Sequence, residues 1–334
     1  MSAAAAEPRE SYDLSGHETE ERAFLDALRR GRLHHAWLLT GPRGVGKATF
    51  AYRAARRLLG ARDDPGHGIL GAAPDDPVCH RIEAGAHGDL LVLSKPWDDK
   101  RGRYRGAITV DEARKLGERF ASTAGEGGWR VAIIDAADDL NVNAANAILK
   151  TLEEPPSRAV IFLVCHAPGR LPTTVRSRCR RLRFAAPDEN TAASIVARAL
   201  GCDDAAARAA ARLASGRPGE AIRLAAAGGA DLAPQLADVL DGRPRLDGDA
   251  AHRLADALGG VDDGDLRAFF FDALAAHALG EARGGRGVDA WGGFWERSQQ
   301  LARELDGLNL DPKLAVLDAL AAARTAAETA AEAA

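Results

Sequence analysis

One seven-residue stretch constrains the fold of this chain more than any other: Gly41-Pro42-Arg43-Gly44-Val45-Gly46-Lys47. It follows the apolar run Ala36–Leu39, which reads as a strand, and precedes a segment in which Phe50, Ala54 and Leu58, with Ala51, Ala55 and Leu59, share one helical face. Strand, glycine loop and helix in that order are the context a P-loop requires. The glycines let backbone N–H groups turn inward on a phosphate, the helix N-terminus adds positive potential, and a lysine at this offset supplies charge for the outer phosphates. Gly41, Gly44, Gly46 and Lys47 are therefore the candidate phosphate- or nucleotide-binding residues. A loop of this kind belongs to a parallel sheet covered by helices, so an α/β fold is expected here.

The rest of the first half fits that expectation. Further strands are predicted at Leu90–Leu93, Val131–Ile134, Val160–Val164 and Leu182–Phe184. Between them lie helical patterns such as Val110, Ala113, Leu116 and Phe120, with Thr109 and Glu112 forming a capping box at the start. The stretch from Gly60 to Pro77 has Gly, Pro and Asp without periodicity and reads as a surface insertion. After Phe184 the strand signals stop. Three short helices are predicted at Glu189–Leu200, Asp203–Ala214 and Gly219–Ala227, followed by a helical stretch from about Asp231. Its last helix has Asp311 as N-cap, Pro312 at the first position, and Leu314, Leu317 and Leu320 along one face. At 334 residues the chain has room for two or three domains. The expected division is a P-loop domain over 1–185, a small helical lid over 186–230, an all-helical domain over 231–321, and a disordered Ala/Glu tail over 322–334.

Two further motifs bear on chemistry. Val131-Ala132-Ile133-Ile134-Asp135 is an apolar strand ending in a carboxylate, which makes Asp135 a candidate for orienting a metal beside the P-loop. The residue after Lys47 is Ala48, where a magnesium-ligating hydroxyl is expected, and the residue after Asp135 is Ala136. Thr49 does not replace that hydroxyl, because one helical step turns its side chain by about 100°. Asp138 and Asp139 read as solvated or capping residues of the following turn. The other motif is Leu171-Pro172-Thr173-Thr174-Val175-Arg176-Ser177-Arg178-Cys179, just beyond the strand Val160–Val164.

Together, Ser177-Arg178-Cys179, the helix Asn143–Leu152 with Thr151-Leu152-Glu153-Glu154-Pro155-Pro156 after it, and the glycine loop stand in the order found in AAA+ clamp-loader subunits. Over most of residues 13 to 225 the chain resembles that family. The resemblance implies an AAA+ P-loop domain, a helical lid, and a C-terminal collar for oligomerisation. It also implies that Arg178 is a trans-acting arginine finger. Cys165-His166 stand where ATPase members end their sensor-one strand in Thr, and Gly219 stands at the sensor-two arginine position of the lid. With Ala48 and Ala136, these departures imply a subunit that does not hydrolyse ATP. Such a subunit scaffolds a pentameric loader and offers Arg178 to a neighbour's ATP, so that a sliding clamp is loaded on DNA during replication. The implied partners are gamma/tau-type ATPase subunits, a delta-type subunit and, through the assembly, the sliding clamp and primer-template DNA. No cofactor is required on this reading, although ATP or phosphate could be held without hydrolysis. The competing reading is an active ATPase, gamma/tau-like or of another P-loop kind, in which other ligands replace the missing groups.

Composition excludes several classes. Forty-four Lys plus Arg against 48 Asp plus Glu leave a net charge of −4, so binding to nucleic acid through bulk charge is excluded and any such contact must be local. Cys79, Cys165, Cys179 and Cys202 form no C-x-x-C pair, and Cys79-His80 with His87 is one donor short of a closed zinc site, so no zinc is expected. Residues Met1 to Pro8 have no signal-peptide pattern and no run of about 18 apolar residues occurs, so a cytoplasmic protein is expected. His34-His35, Trp37, Trp129, Trp291 and Trp295 read as packing or capping residues. Trp97, in a polar stretch, is assigned to no element.

Overall fold

The computed structural model describes residues 7–99, 103–121, 128–228, 248–259, 264–285, 287–308 and 310–332. They form two compact units, Ala6–Pro187 and a second that begins at Asp188.

In the first unit the strands are β1 (Ala36–Thr40), β2 (Leu90–Leu93), β3 (Trp97–Asp98), β4 (Arg103–Tyr104), β5 (Arg130–Asp135), β6 (Ala159–Cys165) and β7 (Arg180–Arg183). The helices are α1 (Glu18–Arg29), α2 (Lys47–Leu58), α3 (Pro77–Glu83), α4 (Val110–Ala121), α5 (Val142–Glu153) and the single turn α6 (Thr173–Arg176). Five strands make one parallel sheet in the order β2-β5-β6-β1-β7, with Trp37 level with Phe162 on one side and Arg180 on the other. Strands β3 and β4 form a separate two-stranded ribbon.

Alternation along the strands divides the core into two layers. Trp37, Leu39, Val131, Ile133, Val160, Phe162 and Val164 join Phe24 of α1 and Phe50, Ala54 and Leu58 of α2. Ala36, Leu38, Ala132, Ile134, Ile161 and Leu163 join Ala113, Leu116 and Phe120 of α4 and Ile148 and Leu152 of α5. The Thr109 backbone N–H donates to Glu112 at 3.0 Å, as the capping box requires. Asn141 caps α5 by accepting from the Ala144 N–H at 2.8 Å.

Gly41 follows β1 directly. Its φ is +153°, and a Cβ at this position would lie 2.1 Å from the Phe184 carbonyl oxygen. Only a hydrogen fits between these two backbones, which the Thr40–Phe184 hydrogen bond (2.7 Å) holds together. Gly41→Ala is expected to destabilise this unit by about 2–4 kcal/mol, combining overpacking with an unfavourable φ. A denaturant midpoint unchanged from the parent would contradict this account.

Residues 60–77 are packed rather than a loose surface insertion. Leu70, Ala72 and Ala73 are buried. The buried Arg53–Glu21 pair (2.7 Å) stands under this loop, and the Arg53 guanidinium also donates to the His67 carbonyl at 2.7 Å. Periodicity misses such a loop because its burial is set by two charged side chains from α1 and α2.

The second unit is all helical: α7 (Glu189–Leu200), α8 (Asp204–Leu213), α9 (Pro218–Gly228), α10 (Gly248–Gly259), α11 (Gly264–Arg283), α12 (Val288–Leu308) and α13 (Pro312–Glu332). Side chains of α7 and α8, such as Val196 and Ala211, share one apolar cluster with Leu254, Phe270, Leu274, Trp291, Phe294 and Leu320. Much of the expected lid-to-collar connection, residues 229–247, lies outside the described residues, as do Asn309 and the chain end after Glu332.

The expectation of disorder from residue 322 is not met. Helix α13 continues to Glu332 with Ala323, Ala326 and Ala330 buried, because alanine is the strongest helix former and its methyl fills a close helix–helix contact. The buried face of α13 is also rotated from the expected one. Ala315, Val316, Ala319 and Leu320 are buried, whereas Leu314 is exposed. Trp291 packs as expected, but Trp295 is exposed. Among the described residues no helix is long and apolar enough to cross a membrane.

Candidate functional site

The glycine loop lies between the end of β1 and the start of α2, with Gly44 at φ +77° and Gly46 at φ +106°. Neither conformation suits a side chain bearing Cβ. A Cβ on Gly46 would also meet Leu14 at 2.6 Å. The loop is closed over by the segment before α1, where the buried His17 donates from Nε2 to the Val45 carbonyl (2.7 Å) and packs its ring on Phe184. Neither Leu14 nor His17 is legible as a loop partner in the sequence, since nothing local ties them to residues 45 and 46.

Lys47 is 3% exposed and folds back onto the loop, donating to the Gly41 carbonyl at 2.6 Å and also to the Pro42 carbonyl. Burial depresses its pKa to about 8, against the opposing pull of Asp135, Asp138 and Cys165. Asp135 ends β5 on the same side of the sheet. Loss of water raises its carboxyl above the ordinary range, although Lys47 and Arg43 favour the charged form. The structure thus brings Gly41, Gly44, Gly46, Lys47 and Asp135 into one electrostatic neighbourhood. Ala48 packs into the apolar layer under α2 and Ala136 is buried, so neither position carries a polar group.

Asp138 corrects the sequence reading, because it is neither solvated nor a simple cap. It is buried, and its carboxylate accepts from the backbone N–H groups of His166 (2.8 Å) and Ala167 (3.1 Å) just past β6. Burial alone would raise its pKa, but these hydrogen bonds and the His166 ring hold it below the ordinary value. It ties the end of β5 to the end of β6, where Cys165 stands. Burial, with the Asp138 charge, pushes the Cys165 thiol up to about 12, so it is no thiolate nucleophile. Asp139 instead pairs with Lys95 at 3.3 Å.

Arg178 lies outside that neighbourhood, beyond α6. One guanidinium nitrogen donates to the Thr174 carbonyl at 2.8 Å and the other pairs with Glu153 at 2.6 Å, and the side chain is 35% exposed. Glu153 ends α5, where the helix dipole disfavours a carboxylate, so the cation offsets an unfavourable charge there. The guanidinium is thereby oriented with N–H groups left over. Its arginine neighbours differ in role. Arg180 lies over the Trp37 ring (4.9 Å), Arg181 donates to the Thr40 hydroxyl (3.0 Å), and Arg176 donates to the Thr173 hydroxyl (3.1 Å). Cys179 donates to the Val175 carbonyl at 3.2 Å.

The remaining candidates serve packing. Cys79 is buried with Ala61 and Ala72, and the His87 Nδ1 accepts from the Asp89 N–H at 3.2 Å. His35 donates from Nε2 to the Leu152 carbonyl at 2.9 Å, at the end of α5. Among the described residues, no group of three or more His, Cys, Asp or Glu side chains could hold a metal ion.

Residues 16–188 match the family model described as DNA polymerase III, delta subunit. Subunit delta' of DNA polymerase III from Pseudomonas aeruginosa is 37% identical over 220 residues, 65% of this chain and 62% of that protein. The Escherichia coli subunit delta' is 36% identical over 201 residues, 60% of this chain and 57% of that protein. The chain thus spans about three fifths of the length of these two relatives. The E. coli subunit tau is 34% identical over 183 residues, 54% of this chain and 26% of tau.

Proposed function

The chain belongs to the DNA polymerase III delta' subunit family, and from that premise we propose that it is a non-hydrolysing clamp-loader subunit that lends Arg178 to a neighbouring subunit's ATP. The observation that carries the reading is the contrast between two places in one unit. In the pocket, alanines occupy the positions of the metal hydroxyl and of the water-polarising carboxylate. Beyond α6, a half-exposed guanidinium is held by Glu153 and Thr174 with N–H groups to spare.

The pocket keeps what is needed to hold an anion and lacks what is needed to break one. Lys47 and the loop N–H groups neutralise phosphate charge, whereas no group beside Asp135 aligns or deprotonates a water. Zinc has no role in this reading. The partners are gamma/tau-type ATPase subunits and a delta-type subunit, with the sliding clamp and primer-template DNA reached through the assembly.

The isolated chain should show no steady-state ATP turnover above background, while calorimetry detects weak binding of ATP or phosphate. Anion binding should raise the Lys47 pKa from about 8 toward the ordinary lysine value, because a phosphate favours the ammonium form. Without anion, the unfolded chain holds a proton on Lys47 between about pH 8 and 10.5 that the folded chain has released. This group therefore makes stability rise with pH across that window and leaves it flat below pH 8. Saturating phosphate should reduce that slope. Turnover by the isolated chain that depends on Asp135 would favour the active-ATPase reading instead.

A further inference from the structure

We propose that Glu153 is the positioning residue of Arg178, holding the guanidinium in a fixed plane before a neighbouring subunit's phosphoryl group reaches it. This role rests on the reading of Arg178 as a trans-acting finger and adds the residue of this chain that sets the finger's geometry.

The root of the arginine is anchored by its backbone. The N–H groups of Ser177, Arg178 and Cys179 donate to the carbonyls of Thr173, Val175 and Arg176 at 2.9, 3.2 and 3.3 Å, and Val175 is buried in the apolar layer below. Beyond that root the side chain is long and rich in rotamers, so a fixed backbone does not fix its tip. Two contacts on different terminal nitrogens do. One is with the Thr174 carbonyl, a group that any residue at 174 would present. The other is with the Glu153 carboxylate at 2.6 Å, supplied by a separate helix. Glu153 is itself well placed, since Leu152 before it is buried and the Leu152 carbonyl accepts from His35 at 2.9 Å.

Helix physics disfavours a carboxylate here. Glu153 is the last residue of α5, at the negative end of the helix dipole, and its side chain is 49% exposed, so packing does not require it. Its ion-pair partner among the described residues is Arg178. A carboxylate that only withheld the finger would compete with phosphate for the same donors. The fork keeps N–H groups beyond the two in use, so being held and being delivered are compatible.

The test is single-turnover ATP hydrolysis, with ATP titrated, by a loader reconstituted with each variant. Glu153→Ala should lower the maximal rate at the site facing this subunit about tenfold and leave the half-saturating ATP concentration within about twofold, because a misdirected finger is felt in the transition state. Glu153→Gln, which keeps the acceptor oxygen, should recover most of the rate. In an Arg178→Ala background, Glu153→Ala should cost nothing further. Glu154 is the exposed C-cap of the same helix, and Glu154→Ala should leave the rate unchanged. On the free chain, phenylglyoxal should modify Arg178 faster in Glu153→Ala than in the parent, a readout independent of any ATP site. If Arg178→Ala loses no rate, the finger reading fails and the positioning role falls with it. If Arg178→Ala loses rate but Glu153→Ala does not, or raises it, or costs as much again without Arg178, the finger stands and the positioning role is overturned. Equal phenylglyoxal rates in parent and Glu153→Ala would overturn it as well.

Discussion

Replacing Arg178 by alanine is expected to lower DNA- and clamp-stimulated ATP hydrolysis at the one site facing this subunit by about 10³-fold, with folding and assembly intact. The size follows from where the charge is delivered. A guanidinium that meets the transferring phosphoryl group neutralises charge that exists only in the transition state, so its loss appears in turnover more than in nucleotide affinity. Stability should barely change, since the exposed ion pair with Glu153 contributes no more than about 1 kcal/mol. Arg178→Lys should recover little, because a point charge lacks the fork. Arg180 looks in sequence like the natural control, but its guanidinium covers the Trp37 ring, so its removal would disturb β1 as well. Arg176 is the better control, being exposed and bonded only locally through Thr173. The measurement is single-turnover hydrolysis by a loader reconstituted with each variant. Equal losses for Arg176→Ala and Arg178→Ala would point to a diffuse basic patch and remove the finger.

The largest effect on stability is expected at the Arg53–Glu21 pair, with side chains 1% and 2% exposed. Arg53→Met should cost about 3–5 kcal/mol, because Glu21 would be left buried without its counter-ion and the His67 carbonyl would lose its donor. Burial already pushes the Glu21 carboxyl upward and Arg53 opposes that shift, so in the variant Glu21 should take up a proton at higher pH than in the parent. Replacing both residues, as Glu21→Leu with Arg53→Met, should recover much of the loss. Chemical denaturation of the four proteins gives the coupling directly. A double variant no more stable than Arg53→Met would mean that the pair is not the origin of the effect.

The sequence makes the inner strands β5, β6 and β1 legible because each is apolar and buried, the edge strand β2 legible because it is apolar although only partly buried, and the glycine loop legible because its spacing is a chemical requirement. Strand β7 begins two residues earlier than its apolar signal. Arg180 and Arg181 lie on a sheet edge, where charged side chains are tolerated and hydrophobic alternation is not needed. The β3–β4 ribbon is too short to carry a period. Asp138 escapes local reading for another reason, since its partners follow β6 and only the parallel register of β5 and β6 brings them together. The length of α13 is not legible from large side chains, because alanines suffice for a close helix contact.

The strand order has a consequence for how the chain emerges during synthesis. Strand β1 lies between β6 and β7, and the hydrogen bond from Thr40 to Leu182 joins residues 142 positions apart. At ordinary translation speeds of about 5–20 residues per second, roughly 7–30 s separate the appearance of these two residues. Until β6 (Ala159–Cys165) has emerged the nascent segment Ala36–Thr40 has both edges open, and the edge that β7 covers stays open to the end of the interval, while the segment carries Trp37, Leu38 and Leu39. The ribosome-bound chain therefore passes through a period in which an inner strand that is wholly buried in the folded sheet is exposed and open to aggregation. Slowed elongation between residues 40 and 180 should increase its dependence on chaperones that hold unfolded chains.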